Sequence, residues 1–275
     1  MGEKSVVQNT PLPRTRAGLI EDLRQIGLKP GMTVITHSSL SSLGWVCGGP
    51  VAVVQTLMDV LTTEGTLVMP TQTGDYTDPV QWNNPPVPQE WLPFIYEQMP
   101  AFDPRITPSY HMGRIVETFR TWPGTLRSNH PLLSFAAWGK HARTIIDNQS
   151  LAYGLGEQSP LARLYDLEGQ VLLLGVGYDS CTSLHLAEYR APGTKVVQQS
   201  APMYEQGQRV WKTYQEIDLN SEIFPDIGAE FEQTGLVMIG KVGSAHTRLF
   251  PQRAAVDFAT QWYIKRRNQS PNKPK

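Results

Sequence analysis

Apolar residues fall into short blocks separated by turn residues, and the spacing within each block predicts its conformation. In Thr15–Ile26 (TRAGLIEDLRQI), Leu19, Ile20, Leu23 and Ile26 share one helical face behind a capping threonine, and Pro30-Gly31 stops the pattern. Met32–Thr36 (MTVIT) reads as a short buried strand. After the loop His37–Gly49, a helix begins at Pro50, with Val53, Val54, Leu57, Val60 and Leu61 at helical period and Gly65 at its end. Thr66–Pro70 (TLVMP) is a second short strand. This strand–loop–helix–strand order predicts an α/β unit with parallel strands.

Gly74–Pro108 breaks the pattern. It is dense in proline and carries Tyr76, Trp82, Trp91 and the pair Asn83-Asn84, so a long irregular excursion is expected. Such a segment is either a lid or binding wall, or a decorated surface loop. Further on, Arg143–Asn148 and Pro160–Tyr165 read as helices and Val171–Gly175 (VLLLG) as a central strand. Met203–Ile217 alternates around Gln206-Gly207 as a β-hairpin. Leu219–Gln233 is expected to be helical, Leu236–Val242 a strand, and Pro251–Ile264 an amphipathic helix with Ala255, Phe258 and Trp262 inward. No repeat, low-complexity stretch or domain boundary stands out. The expectation is one domain over residues 1–275, with 1–14 and 266–275 as frayed termini.

Composition narrows the function more than the fold. The chain has 275 residues, long enough for a substantial core, and its net charge of −1 supplies no basic field for nucleic acid. The one basic cluster, Lys265, Arg266, Arg267, Lys273 and Lys275, reads as a solvated tail. Two cysteines, Cys47 and Cys181, give no disulfide framework and fit a reducing compartment. Met1–Arg14 lacks the apolar core of a signal peptide, and no run has the length of a membrane span. A cytoplasmic protein is expected.

Three segments carry candidate chemistry. Thr36–Pro50 (THSSLSSLGWVCGGP) offers serine hydroxyls and Gly48-Gly49 ahead of a helix N-terminus, which suits an anion or a peptide-like chain, or is simply a capped connecting loop. In Gly175–Arg190 (GVGYDSCTSLHLAEYR), a strand runs through Asp179 into a helix expected to start near Thr182. His185 and Glu188 share a face of that helix. A carboxylate on one imidazole nitrogen fixes the tautomer and leaves the other to take a proton. The same residues are also compatible with a Cys181–His185 thiol–imidazole pair, a metal-binding His-x-x-Glu, or a structural histidine. No second pair of that kind or CxxC accompanies them, and no metal is expected. Thr107–Ala137 holds Ser109, Glu117, Arg120, Arg127, Ser128, His130 and Ser134. Its arginines are suited either to phosphate or to structural ion pairs.

Taken together, THSSLSSLGWVCGGP, EGTLVMPTQT, TPSYHMGRIVETFRTWPGTLRSNHPLLSFAAWGKHA, YGLGEQSPLARLYDLEGQVLLLG and TSLHLAEYRAP resemble, in order, the aminoglycoside 3-N-acetyltransferase family. The resemblance covers most of residues 15–260. It implies a single-domain antibiotic N-acetyltransferase-like α/β fold, distinct from the GNAT fold, with a central, largely parallel sheet flanked by helices and a β-hairpin in its C-terminal part. It implies acetyl-CoA as donor and the 3-amino group of an aminoglycoside's 2-deoxystreptamine ring as acceptor, with drug resistance as the outcome. His185 and Glu188 match the family's catalytic pair, with Asp179 in support. His37, Ser38, Ser39, Leu40, Gly44, Trp45 and Val46 match the part that holds the pantetheine arm, and Ser109, Met112 and Gly113 line the same channel. His130, in the family's HP motif, is either functional or structural. The polycationic acceptor calls for acids and aromatic walls, and Asp75, Tyr76, Asp78 and Trp82, with Glu216 or Asp218, are the candidates. The alternative keeps fold and donor but acetylates another amine-containing metabolite. A monomer or homodimer is expected.

Overall fold

The computed structural model describes residues 2–269. Along the chain it forms α1 (Glu3–Gln8), α2 (Arg16–Gln25), β1 (Thr33–Ser38), α3 (Gly49–Leu61), β2 (Thr66–Pro70), α4 (Leu92–Gln98), α5 (Arg114–Arg120), β3 (Leu126–Arg127), β4 (Phe135–Gly139), α6 (Ala142–Ile146) and α7 (Pro160–Asp166). There follow β5 (Gln170–Leu174), α8 (His185–Arg190), β6 (Val196–Glu205), β7 (Gln208–Ile217), α9 (Phe224–Glu232), β8 (Met238–Val242), β9 (Ala245–Pro251) and α10 (Gln252–Gln269). Seven strands make one sheet in the order β3-β4-β2-β1-β5-β9-β8, and β6 pairs with β7 alone.

The expected α/β sheet flanked by helices is present. Its three central strands, β2-β1-β5, run parallel, and antiparallel strands extend it on both sides. Side chains alternate across a strand, so each strand feeds two cores. Val34, Leu67, Leu172 and Leu174 pack under α2, α3 and α5, whereas Ile35, Val68, Val171 and Leu173 pack under α6 to α10. Both faces being covered explains why β1, β2 and β5 read as continuous apolar runs. The Thr15 hydroxyl accepts the Gly18 N–H at 3.3 Å and caps α2, as its position before the apolar face predicted.

Several elements differ from expectation. The hairpin's first strand begins at Val196, and β3, β4, β9 and α5 carried no clear period. Polar His246 and Arg248 interrupt the apolar pattern of β9, which owes its place to antiparallel pairing with β5 and β8. The excursion holds α4 and three 3-10 turns, and it is welded to the hairpin. Asp78 accepts the Tyr96 hydroxyl at 2.5 Å and the Ser200 hydroxyl at 2.7 Å, and the Tyr96 ring meets Trp211 edge-on at 4.8 Å. Near the N-terminus Glu3–Gln8 is helical, Thr10 Oγ1 accepts the Trp45 N–H at 2.8 Å, and Arg14 bridges Val46. At the other end Arg266 and Arg267 continue α10, while Lys273 and Lys275 lie outside the described residues. Among the described residues no helix is long and apolar enough to cross a membrane.

Candidate active site

Open α/β sheets place ligands beyond the carboxyl ends of their parallel strands. Here β1, β2 and β5 end around a cavity of about 380 Å³. Thr36, His37 and Ser38 enter it from β1, Pro70 and Gln72 from the end of β2, and Val176, Asp179 and Ser180 from the turn after β5. Thr182, His185 and Ser221 complete the far wall, and His111 and Met112 stand at its mouth.

His185 opens α8, and Glu188 lies one turn on with its side chain almost wholly buried. His185 Nδ1 donates to Glu188 Oε2 at 2.5 Å, and the Asn220 backbone N–H donates to Glu188 Oε1 at 3.2 Å. The imidazole rests edge-on against Phe224 at 4.8 Å between centroids. With Nδ1 engaged by the carboxylate, Nε2 is left to act on a ligand. Asp179 lies exposed on the wall of the same cavity and makes no hydrogen bond to His185. Cys181 is fully buried in the core, and burial pushes its thiol up to about 12, so it is an unionised packing residue at neutral pH. That removes the thiol–imidazole reading.

A groove of about 600 Å³ adjoins this cavity, and Ser38, His111 and Met112 line both. Its floor is the turn Ser38–Ser41 with Gly44–Val46, and it reaches Gly48 and Gly49 at the start of the 13-residue α3, whose first turn has no side-chain cap. Free N–H groups and the helix dipole suit an anion there, and Arg114 adds a cation to the opposite wall. Gly44, at φ 86°, has no room for a side chain, because a Cβ would stand 2.9 Å from Ser244 Oγ. Glu3 and Val6 of α1 form one edge of the groove.

The model of the family described as aminoglycoside 3-N-acetyltransferase matches residues 35–264. The chain is 53% identical, over 95% of its length and 96% of the relative's, to an SPbeta prophage-derived aminoglycoside N(3')-acetyltransferase-like protein of Bacillus subtilis, YokD. It is 35% identical to aminoglycoside N(3)-acetyltransferase VII of Streptomyces paromomycinus, covering 95% of this chain and 96% of that one. The chain belongs to the aminoglycoside 3-N-acetyltransferase family. It is accordingly an acyltransferase. The crystal structure of YokD superposes with a TM-score of 0.96 at 51% identity, over 98% of this chain and 100% of that one. AAC-IIIb in binary complex with CoASH gives 0.84 at 31% identity, over 96% and 100% of the two chains. AAC-VIa bound to sisomicin gives 0.84 at 30%, over 93% and 99%.

Within this aminoglycoside 3-N-acetyltransferase fold, the residues matched to the donor channel divide. Ser38, Ser39, Leu40, Gly44, Trp45, Val46, Met112 and Gly113 line the groove. His37 does not; it lines the inner cavity with His185. Ser109 lines neither, and its N–H is held by Glu117 Oε1 at 2.7 Å. The acceptor candidates fall elsewhere. Tyr76 packs edge-on to Phe102, Trp82 Nε1 donates to Thr77 Oγ1 at 2.9 Å, and Asp75 sits exposed on its turn, so none lines the cavity or groove. Glu216 is buried, accepting the Tyr189 hydroxyl and the N–H groups of Gly154 and Ile217 at 2.8 Å. Burial raises its pKa. Fully bonded inside the fold, it is no pocket acid.

The open choices in the central segment close as structural. Arg120 forks onto Glu117, with Nη2 2.9 Å from Oε2. Arg127 donates to the Thr71 carbonyl at 2.7 Å, to the Ser134 hydroxyl at 3.1 Å and to the Thr107 carbonyl, over the face of Phe102. His130 accepts the N–H groups of Leu132 and Leu133 on Nδ1 and donates from Nε2 to the Leu151 carbonyl. Sequence reasoning missed His111, Gln72 and Ser221. Only His111 gave a signal, beside the Met112-Gly113 of the donor channel.

Proposed function

We propose that this single-domain enzyme transfers the acetyl group of acetyl-CoA to the 3-amino group of the 2-deoxystreptamine ring of aminoglycosides, by direct attack in a ternary complex, and so confers resistance in the cytoplasm. The observation that carries this reading is the junction of the two spaces. A groove suited to a long anionic donor opens, between Ser38 and Met112, into a cavity whose wall bears an oriented histidine. Solved relatives bound to CoASH and to sisomicin support donor and acceptor respectively.

An aminoglycoside amine is largely protonated at neutral pH and in that form is no nucleophile, so it first releases its ammonium proton to solvent and attacks as the neutral amine. His185 Nε2 accepts the proton from the attacking nitrogen, and Glu188, already on Nδ1–H, stabilises the imidazolium that forms. The N–C bond forms as the carbonyl π pair moves to oxygen. Collapse breaks the C–S bond, and the departing thiolate takes the proton from His185. Asp179, exposed on the cavity wall, draws the cationic acceptor toward this point rather than orienting the base.

The test is purified protein with acetyl-CoA and a panel of 2-deoxystreptamine aminoglycosides, following free CoA thiol. Thiol release that depends on the drug, with acetylation mapped to N3, is the expected result. Release only with other amines would move the acceptor and keep the donor; no release with any amine would overturn the reading.

A further inference from the structure

Thr36, His37 and Ser38 are consecutive, all line the catalytic cavity, and each has a buried polar atom without a hydrogen-bond partner: Thr36 Oγ1, His37 Nε2 and Ser38 Oγ. Buried polar groups are almost always bonded. Three unbonded in a row at the end of a central strand mark a place where the partner comes from outside the chain.

The strand's alternation separates the three. Ile35 and Leu173 face the core under α8, so His37, two residues beyond Ile35 and paired across the sheet with Leu173, points to the face that carries His185. Ser38 follows Val34 and pairs with Leu174 on the opposite face, under α3, where the donor groove lies. A thioester entering past Ser38 toward an amine on His185 therefore brings its carbonyl alongside His37. The charge of His185 acts on His37, after burial, in holding its ring down to about 3. His37 is thus an uncharged imidazole beside the base, able to donate a hydrogen bond and unable to compete for the amine's proton. Asp179 and His111 are the other titratable groups in the cavity.

We propose that His37 is a further catalytic residue of this acyl transfer, its imidazole N–H donating to the thioester carbonyl oxygen and holding the tetrahedral oxyanion. The inference rests on the acetyl-transfer reading. Its proton is not transferred: as the C–N bond forms, the carbonyl π pair becomes the oxyanion lone pair that His37 binds, and it returns when C–S breaks.

Two measurements test it. His37→Leu should lower kcat by about 100-fold or more, the usual cost of an oxyanion donor, with the acetyl-CoA KM within about threefold, and His37→Gln, which keeps an N–H, should recover most of the loss. A kcat for His37→Leu within about threefold of wild type, or an effect on KM alone, overturns the proposal. The second needs no variant to be active. In ¹⁵N-histidine-labelled wild-type enzyme, the His37 ring resonances should shift with acetonyl-CoA, a ketone that keeps the carbonyl but cannot transfer it, and not with CoA. Identical spectra with the two overturn the proposal even if His37→Leu fails to fold. Absence of thiol release by the wild-type enzyme would instead count against acetyl transfer itself.

Discussion

Glu188 and Asp179 are both acids beside one histidine, yet their positions give them different work. Glu188 is buried, one helical turn from His185 and bonded to its Nδ1, whereas Asp179 faces solvent and the cavity. Neutralising the first leaves a forming imidazolium without its counter-charge in a poorly solvated place. Glu188→Gln should therefore lower kcat by about 10⁴-fold, the order seen when an orienting carboxylate is neutralised beside a catalytic histidine. Asp179→Asn should lower kcat by less than about tenfold and act mainly by raising the acceptor KM, because an exposed charge is screened. Steady-state kinetics on the two variants check this, and the reverse ranking would reassign the orienting acid. The pairing of His185 with Glu188 was legible, because i to i+3 spacing on a helix is local. The share of Asp179 was not, since it depends on the aim of a 3-10 turn (Tyr178–Ser180) that has no sequence period.

At the scale of elements, α1, like α4, is a helix whose presence the core does not explain. None of its residues is buried, and it borders the donor groove through Glu3 and Val6. Removing residues 2–9 while keeping Thr10 and its bond to Trp45 should leave the melting temperature within about 2 °C, since no core contact is lost. The acetyl-CoA KM should rise by about three- to tenfold with kcat unchanged, the scale of losing part of one aliphatic contact. Differential scanning fluorimetry and donor titrations measure both; a fall in kcat at saturating donor would place α1 in catalysis instead. The helix escaped sequence reading for the same reason that it is dispensable to the core: without a buried face it has no period. Among the strands that were legible, β1, β2 and β5 are covered on both faces. β9 alternates between covered and open positions through His246 and Arg248, and β3 is two residues long, so each depends on its neighbours for definition. The acceptor candidates lie away from the cavity for a related reason. The excursion's acids and aromatics suit a polycation chemically, but Asp78 and Trp82 are spent on packing.

Across the whole molecule, two histidines are enclosed in uncharged form by different layers of the fold. Burial lowers His37 to about 3 and His130 to about 4, from an ordinary 6.5. Above pH 6.5 both are neutral folded or unfolded and add no pH dependence. Below it the unfolded chain binds two protons that the folded one refuses, so stability falls as pH drops from about 6.5 toward 4. At full effect the slope is about 1.4 kcal/mol per pH unit for each histidine. Glu216 acts with the opposite sign, because its raised pKa makes the folded state take up a proton first as the solution is acidified. It offsets part of the loss. Urea unfolding at pH 7.5, 6.5, 5.5 and 4.5 should therefore show a flat upper range and a steepening fall below it. His37→Gln and His130→Gln should each remove about one proton from that slope, whatever they do to stability at pH 7.5. The slope separates the two roles argued for these residues. His130 is fully bonded by Leu132, Leu133 and Leu151, so its replacement should also lower stability at neutral pH. His37 has an unbonded nitrogen, so its replacement by glutamine should cost the fold little, and only a side chain without an N–H, as in His37→Leu, should cost the reaction much. An unchanged slope in both variants would mean that the folded protein protonates these imidazoles as readily as water does, and that neither is enclosed as the fold places it.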